Sequence, residues 1–172
     1  PEVVLTADIS QKKDLIQDII SSYINIDLTA ISDIQKSTEI FSLIKLLASR
    51  VGSKVDVSKL SRVTGIYRRG VENYLQLFEQ SYLIKLVPVF TTNSEREIVK
   101  AKKLYFLDNG IASQFEQSGT GALFENAIFN QLHQLGDLRY YALKNGKEID
   151  FILDNLCAFE VKETALESHL NN

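Results

Sequence analysis

The sequence has very little cysteine and histidine, and it contains neither methionine nor tryptophan. Of its 172 residues, one is cysteine and two are histidine. A single cysteine excludes a disulfide framework and is typical of a protein kept in the reducing cytoplasm. We expect Cys157 to be a small hydrophobic residue on the inward face of a strand. We expect neither His133 nor His169 to have the partners that a zinc-binding or catalytic histidine needs.

Several functional signatures are absent as well. The sequence has no long apolar run that could cross a membrane and no basic and apolar leader for export, so we expect no membrane partner. It has no glycine-rich phosphate loop, so these residues cannot bind a nucleotide in the usual way. Because the chain begins at Pro1 and lacks methionine, we expect a fragment of a longer protein.

Charge is distributed unevenly along the chain, although the net charge is only −3. Residues 1–40 carry three lysines and seven acidic residues, a net charge of −4. Residues 41–103 carry twelve basic and five acidic residues, net +7, and residues 104–172 carry four and ten, net −6. A basic segment between acidic flanks favours a polyanionic partner for the middle of the chain.

Hydrophobic periodicity predicts helices in the first half of the chain. We expect one helix over residues 10–22 and another over residues 37–52, the second ending at a glycine C-cap. A shorter helix follows, with Leu60 and Val63 facing inward. A longer helix then begins near Tyr67.

Two strands, over residues 82–90 and 102–108, follow these helices and are joined by the polar loop 91–101. Three helices and a two-stranded wing are typical of a winged helix-turn-helix, whose third helix enters a DNA groove. Winged helices also serve as interaction modules, and clustered basic residues often form only a solvated surface, but the charge of +7 favours DNA. The residues expected at phosphates or base edges are Tyr67, Arg68, Arg69 and Asn73 on the helix and Arg96 and Lys100 in the loop, with Lys102 and Lys103 beside it.

Later in the chain, two alternating segments predict a β-hairpin with charged residues on one face. If Leu153 opposes Cys157, the loop is residues 154–156, and Asp150, Glu160 and Lys162 lie on the same face. A two-residue turn would set Asp150 against Phe159 and scatter the charges. A loop of odd length is therefore part of the prediction.

Opposed carboxylates at about 5 Å repel each other by roughly 3 kcal/mol at an effective dielectric near 20. Either a cation binds between them, or one acid is protonated, or Lys162 neutralises the pair. A magnesium ion could be held by Asp150 and Glu160 with the carbonyl of Val161, and Lys162 could then help to deprotonate an attacking water. The alternative is an exposed sheet face that carries ordinary charges.

A helix with one apolar stripe precedes the hairpin. Its core stripe is predicted to contain Phe124, Ala127, Ile128, Leu132 and Leu135. Glu125 lies at the margin of this stripe, where its carboxylate can remain solvated or lean over the edge of the sheet.

With these elements in place, the chain resembles the C-terminal half of a family of prokaryotic AAA-type ATP-binding proteins. The motifs that carry the resemblance are PEVVL at the start, LQLFEQSYLIKLVP at residues 75–88, KLYFLDNGIA at residues 103–112, GALFENAIFNQL at residues 121–132, and GKEIDFIL with FEVK in the hairpin. In that family a winged helix follows the ATPase core, and a restriction-endonuclease-like domain of the PD-(D/E)xK kind comes last.

The resemblance implies a nuclease-like site with Glu125 on the helix, Asp150 on the strand, and Glu160 and Lys162 as the E-x-K pair. It implies Mg²⁺ as the cofactor, with Glu125 as an outer ligand or water organiser, and it implies that ATP binds to a core preceding Pro1. The family often has a Tyr-aromatic-Arg arrangement on the first strand of the last domain. Residues 140–142 read Tyr-Tyr-Ala here and lack that arginine.

The sequence therefore predicts an α+β chain in three parts: a helical segment over residues 1–36, a winged helix over residues 37–107, and a nuclease-like domain, incomplete at its C-terminus, over residues 108–172. We expect the DNA-binding and nuclease-like portion of a cytoplasmic ATPase. The alternative is a non-catalytic interaction or regulatory module attached to an ATPase.

Overall fold

The computed structural model describes residues 2–24, 37–92, 95, 97, 100–115, 119–143 and 146–164. The chain is an α+β protein, as the sequence predicts. Its helices in the described parts are α1 (Glu2–Leu5), α2 (Ile9–Ser22), α3 (Ser37–Ala48), α4 (Val57–Thr64), α5 (Arg68–Gln80), α6 (Asn109–Gln114) and α7 (Thr120–Leu132). The strands there are β1 (Ile84–Val87), β2 (Lys103–Phe106), β3 (Leu138–Ala142), β4 (Glu148–Leu153) and β5 (Cys157–Phe159).

Aspartates fix the starts of three helices. Asp8, Asp56 and Asp108 each precede a helix, and each side chain accepts a hydrogen bond from the backbone N–H three residues further on, at 2.8, 2.9 and 2.9 Å. These bonds satisfy N–H groups that have no partner within the helix. Gly65 ends α4 at φ 76°, a left-handed conformation that glycine adopts without strain, and the chain turns there into α5.

The three helices α3, α4 and α5 form a unit that packs against β1 and β2. Apolar side chains of α3 and α5 are fully buried, including Ile40, Ile44, Val71 and Phe78. The prediction for α4 is only half right, because Leu60 is buried but Val63 is 58% exposed. Val63 lies in the last turn before the chain reverses at Gly65, on the solvent side of the helix.

A short backbone contact joins the two small sheets. β1 and β2 pair antiparallel, while β3, β4 and β5 form an antiparallel sheet in that order. Val89 forms a parallel bridge with Tyr140, whose backbone N–H donates to the carbonyl of Pro88 at 3.0 Å. One buried hydrophobic cluster extends through residues on both sides of the predicted boundaries at 36/37 and 107/108. The division into three parts therefore stays a prediction.

The predicted apolar stripe of α7 is wrong at two positions. Phe124 and Leu135 are exposed, whereas Asn126 and Phe129 are fully buried. Phe129 stacks on Tyr105 with ring centroids 4.5 Å apart. A polar asparagine can be buried here because its amide bonds to the backbone of β2.

The predicted register of the hairpin is confirmed. Leu153 pairs with Cys157, which leaves the three-residue loop 154–156. Asp154 and Asn155 make the turn with φ of 50° and 60°, a conformation that these two residue types tolerate better than most. The expectation of an inward-facing Cys157 is wrong, because the thiol lies at the turn end of a three-residue edge strand and is exposed.

None of the helices in the described part of the chain is long and apolar enough to cross a membrane.

Candidate functional site: a carboxylate cluster around Lys103

The centre of the candidate site is a lysine that sequence reasoning placed at the surface. Lys103 begins β2, and only 4% of its side chain is exposed. Its Nζ lies 3.0 Å from Asp150 Oδ1, 3.6 Å from Glu125 Oε1 and 3.7 Å from Glu148 Oε2. Burial lowers the pKa of Lys103, but the three carboxylates raise it by more, so its net pKa is raised. The expectation that Lys103 contacts DNA from the surface is wrong.

Glu125 reaches from α7 to the same cluster. The hydroxyl of Tyr105 donates to Glu125 Oε1 at 2.6 Å. On its other side lies Gly52, where a Cβ would be 2.9 Å from Glu125 Oε2. Burial raises the pKa of Glu125, and the contacts with Tyr105 and Lys103 offset this only in part. The sequence left two positions open for this carboxylate, in solvent or over the edge of the sheet. In the structure it is directed over the sheet, towards Tyr105.

Tyr105 is held in its protonated form. Burial is the main cause that raises the pKa of Tyr105, and the neighbouring carboxylate of Glu125 raises it further. Its hydroxyl is therefore a fixed hydrogen-bond donor to Glu125.

Asp150 lies on β4, and both of its carboxylate oxygens have partners. Oδ1 contacts Lys103, and Oδ2 accepts a hydrogen bond from the backbone N–H of Val161 at 3.0 Å. It is thus the N–H of Val161, and not its carbonyl, that is directed at this carboxylate. The bond also holds the chain beyond β5 against β4.

Glu160 and Lys162 form a separate ion pair at the rim of the cluster. Lys162 Nζ lies 2.6 Å from Glu160 Oε1, and both side chains are about half exposed. This contact is the main reason that the pKa of Lys162 is raised, and Asp150 and Glu125 contribute at longer range. The structure therefore places all four predicted catalytic residues near one another. Glu125 and Asp150 lie within the cluster around Lys103, and Glu160 and Lys162 lie at its rim.

Sequence reasoning missed the residues that complete this region. Glu148 contacts Lys103 and forms a close ion pair with Lys54. Alternation along β4 could have indicated Glu148, because it is two residues before Asp150 and shares its face. Lys103 gave no such signal, since its partner Asp150 is 47 positions away in the sequence.

Magnesium does not fit between Asp150 and Glu160 as these residues are arranged here. Each carboxylate already has a lysine partner, Lys103 and Lys162 respectively. Within the described ranges, no three His, Cys, Asp or Glu side chains are grouped so that they could hold a metal ion. Oxygen ligands are the right chemistry for magnesium, but binding would require a lysine to be displaced. We therefore assign no hydrolytic step.

The DNA-contacting residues predicted on α5, and Lys100 in the loop, lie on the surface. Tyr67 is 89% exposed and precedes α5, and Arg68, Arg69 and Asn73 on that helix are exposed as well. Arg68 Nε lies 3.2 Å from Glu72 Oε1 in an exposed pair one helical turn apart. Lys100 is exposed, and Arg96 is outside the described residues.

Comparisons with known proteins give distant relatives. An uncharacterized protein of Methanocaldococcus jannaschii is 24% identical over 164 residues, which cover 89% of this chain and 36% of the relative. An uncharacterized protein of Haemophilus influenzae is 26% identical over 183 residues, covering 98% of this chain and 46% of the relative. The chain thus spans less than half the length of these curated relatives. No solved structure matches it.

A family model matches the larger part of the chain. Residues 1–121, well over half of the chain, match the model of a family described as "Domain of unknown function (DUF8612)". That range ends shortly before Glu125 and includes Lys103 and the start of α5. The chain therefore belongs to the DUF8612 family.

Proposed function

We propose that this chain is a DNA-binding module in which α3, α4 and α5 form a winged helix-turn-helix with β1 and β2 as the wing. Two features support the arrangement. α4 and α5 are separated only by the turn at Gly65, and the antiparallel pair β1 and β2 follows directly. This order of elements is typical of winged helices.

The observation that carries the proposal is the exposed, basic start of α5. One face of α5 is buried through Val71, Leu75 and Phe78, which fixes the helix on the protein. The first turn presents Arg68 and Arg69 to solvent, and arginines there can contact phosphates or base edges.

The pair between Arg68 and Glu72 does not oppose this role. Both side chains are at least half exposed, and exposed pairs one helical turn apart contribute only about 0.3–0.5 kcal/mol. A DNA phosphate can therefore replace Glu72 as the partner of Arg68 at little cost.

The test is a duplex-binding titration of the double variant Arg68→Ala, Arg69→Ala. Fluorescence anisotropy with a labelled mixed-sequence duplex, repeated over a range of salt concentrations, measures affinity and its salt dependence. We expect weaker binding and a slope of log affinity against log salt that is smaller by about 2, because two phosphate contacts are lost.

The matched control is the double variant Lys12→Ala, Lys13→Ala, which removes the same charge from α2. It is expected to bind nearly as the unchanged protein does. Equal loss in both double variants would indicate a general effect of net charge and would contradict a specific surface on α5.

The nuclease-like and ATP-dependent parts of the proposal rest on the sequence resemblance. Glu125, Asp150, Glu160 and Lys162 are proposed as a nuclease-like site by descent, and the lysine partners of Asp150 and Glu160 argue against magnesium-dependent cleavage in this arrangement. The relatives are more than twice as long as their matched parts, which leaves room for an ATP-binding core.

A cytoplasmic location is proposed as well, and the exposed free thiol of Cys157 suits a reducing compartment.

A non-catalytic protein-interaction module is the second candidate. It is favoured by the exposed apolar residues Val4, Leu5 and Ile9 near an open, largely apolar groove of about 590 Å³ that Ile19 and Tyr82 help to line. Exposed apolar patches of this kind often bind another protein. Failure of the unchanged protein to bind any duplex at physiological salt would favour this candidate over the first.

A further inference from the structure

Lys103 is held in place by its backbone as well as by its side chain. On one side its strand pairs with β1, where Lys103 opposes Val87. On the other side Lys103 forms an antiparallel bridge with Lys54. The N–H groups of Gly52 and Val55 support it by donating to the carbonyls of Leu104 and Lys102, the two residues that flank Lys103. The ammonium group is therefore presented to the cluster from a fixed main chain.

Each carboxylate around this ammonium group has two polar partners within the protein. Glu125 has Tyr105 and Lys103, Asp150 has Lys103 and the N–H of Val161, and Glu148 has Lys54 and Lys103. The oxygens lie 3.0 to 3.7 Å from Nζ, whereas magnesium needs oxygens at about 2.0–2.1 Å. With Lys103 at its centre, the cluster has its oxygens at distances suited to an ammonium group and not to a magnesium ion.

We propose that Lys103 is the built-in counter-ion of Glu125, Glu148 and Asp150, and that it excludes divalent metal ions from this cluster while it joins β2 to α7 and β4. The three carboxylates come from two elements that follow the wing, and the lysine comes from the wing itself. The ammonium group thus supplies the neutralising charge between them that a metal ion would otherwise provide. This role is independent of DNA binding by α5.

The first experiment uses the unchanged protein. Calorimetric titration with Mn²⁺ and with Mg²⁺ is expected to show no saturable binding, and a chelator is expected to leave the melting temperature unchanged. Saturable binding that Asp150→Asn abolishes would overturn the proposal, because a metal ion would then occupy the cluster with Lys103 present.

The second experiment removes the charge and keeps the apolar stem. Lys103→Met should lower the melting temperature by about 6 °C or more, since it leaves buried carboxylates without a cation. Millimolar Mn²⁺ or Mg²⁺ should then raise the melting temperature of this variant, and adding Asp150→Asn should remove that response.

Lys102→Met is the matched control, because it removes a neighbouring half-buried lysine that is not in the cluster. It is expected to stay insensitive to divalent ions. A Lys103→Met protein that is as stable as the unchanged protein, or that gains no response to metal ions, would contradict the proposal. If Lys103→Met does not fold, the calorimetric titration of the unchanged protein still tests whether the cluster binds a divalent metal ion.

Discussion

At the scale of single residues, two adjacent lysines have opposite environments. Lys102 and Lys103 belong to the same basic run, and the sequence predicted that both would face DNA. Lys102 is half-buried at the surface, whereas Lys103 is buried among carboxylates. All four residues of β2 are buried, so this strand is an interior element and not an exposed edge of the wing.

Gly52 is the residue whose substitution tests the packing around Glu125. Its φ of 74° disfavours any side chain, and a Cβ would lie 2.9 Å from Glu125 Oε2. That carboxylate cannot easily move, because Tyr105 and Lys103 hold its other oxygen. We expect Gly52→Ala to lower the free energy of unfolding by more than the 1–2 kcal/mol or so that the backbone conformation alone costs. Urea denaturation measures this change.

Gly65→Ala is the control for the backbone term. Gly65 has a similar φ of 76°, but nothing lies within 4 Å of a Cβ there. The difference between the two variants therefore isolates the contact with Glu125. Equal losses in both variants would show that the carboxylate moves aside freely.

At the scale of elements, α7 is fixed to β2 by a side chain that imitates a strand partner. Asn126 Oδ1 accepts from the N–H of Phe106 at 2.8 Å, and its Nδ2 donates to the carbonyl of Phe106 at 3.0 Å. A third bond joins Nδ2 to Asn109 Oδ1 at 2.9 Å. The asparagine thus satisfies the end of a buried strand, which the apolar pattern of α7 did not indicate.

Asn126→Ala is expected to destabilise the protein by roughly 2–4 kcal/mol, because it leaves the buried N–H of Phe106 without this partner and removes two further hydrogen bonds. Asn130→Ala is the matched comparison. It removes a single 3.1 Å bond to the carbonyl of Phe106, which keeps Asn126 as a donor. We expect a loss of about 1 kcal/mol or less there. Chemical denaturation of both variants checks the order, and a larger loss for Asn130→Ala would contradict it.

At the scale of the whole molecule, the predicted parts share their interior. The buried cluster contains residues from α2, from the three helices that precede the wing, and from β3 and β4. The ion pairs of Lys103 cross the same boundary at 107/108. Because apolar burial and the charge pairs extend over the boundary, neither side keeps a complete core without the other.

We therefore expect one cooperative unfolding transition. Far-ultraviolet circular dichroism follows the helices, and tyrosine fluorescence follows the surroundings of the seven tyrosines, which include the buried Tyr105 and Tyr140. The two urea transitions should coincide, as in a two-state protein. Two separated transitions would contradict the shared core and would favour the independent domains that the sequence predicted.

The sequence by itself determined the features that depend on neighbouring residues. It predicted most of the helices, the three-residue loop of the hairpin, and the exposed start of α5 at Tyr67, because helical spacing, strand alternation and turn chemistry act over a few positions. It also placed Asp150 on the charged face of its strand.

Only the tertiary structure decided which charges meet. Alternation along a strand tells which face a side chain takes, but the partner depends on which distant element packs there. Lys103 therefore could not be assigned to Asp150, 47 positions away, nor Tyr105 to Glu125, 20 positions away. The burial of Asn126 was hidden for the same reason, since a polar residue enters the core only when tertiary packing supplies its hydrogen-bond partners.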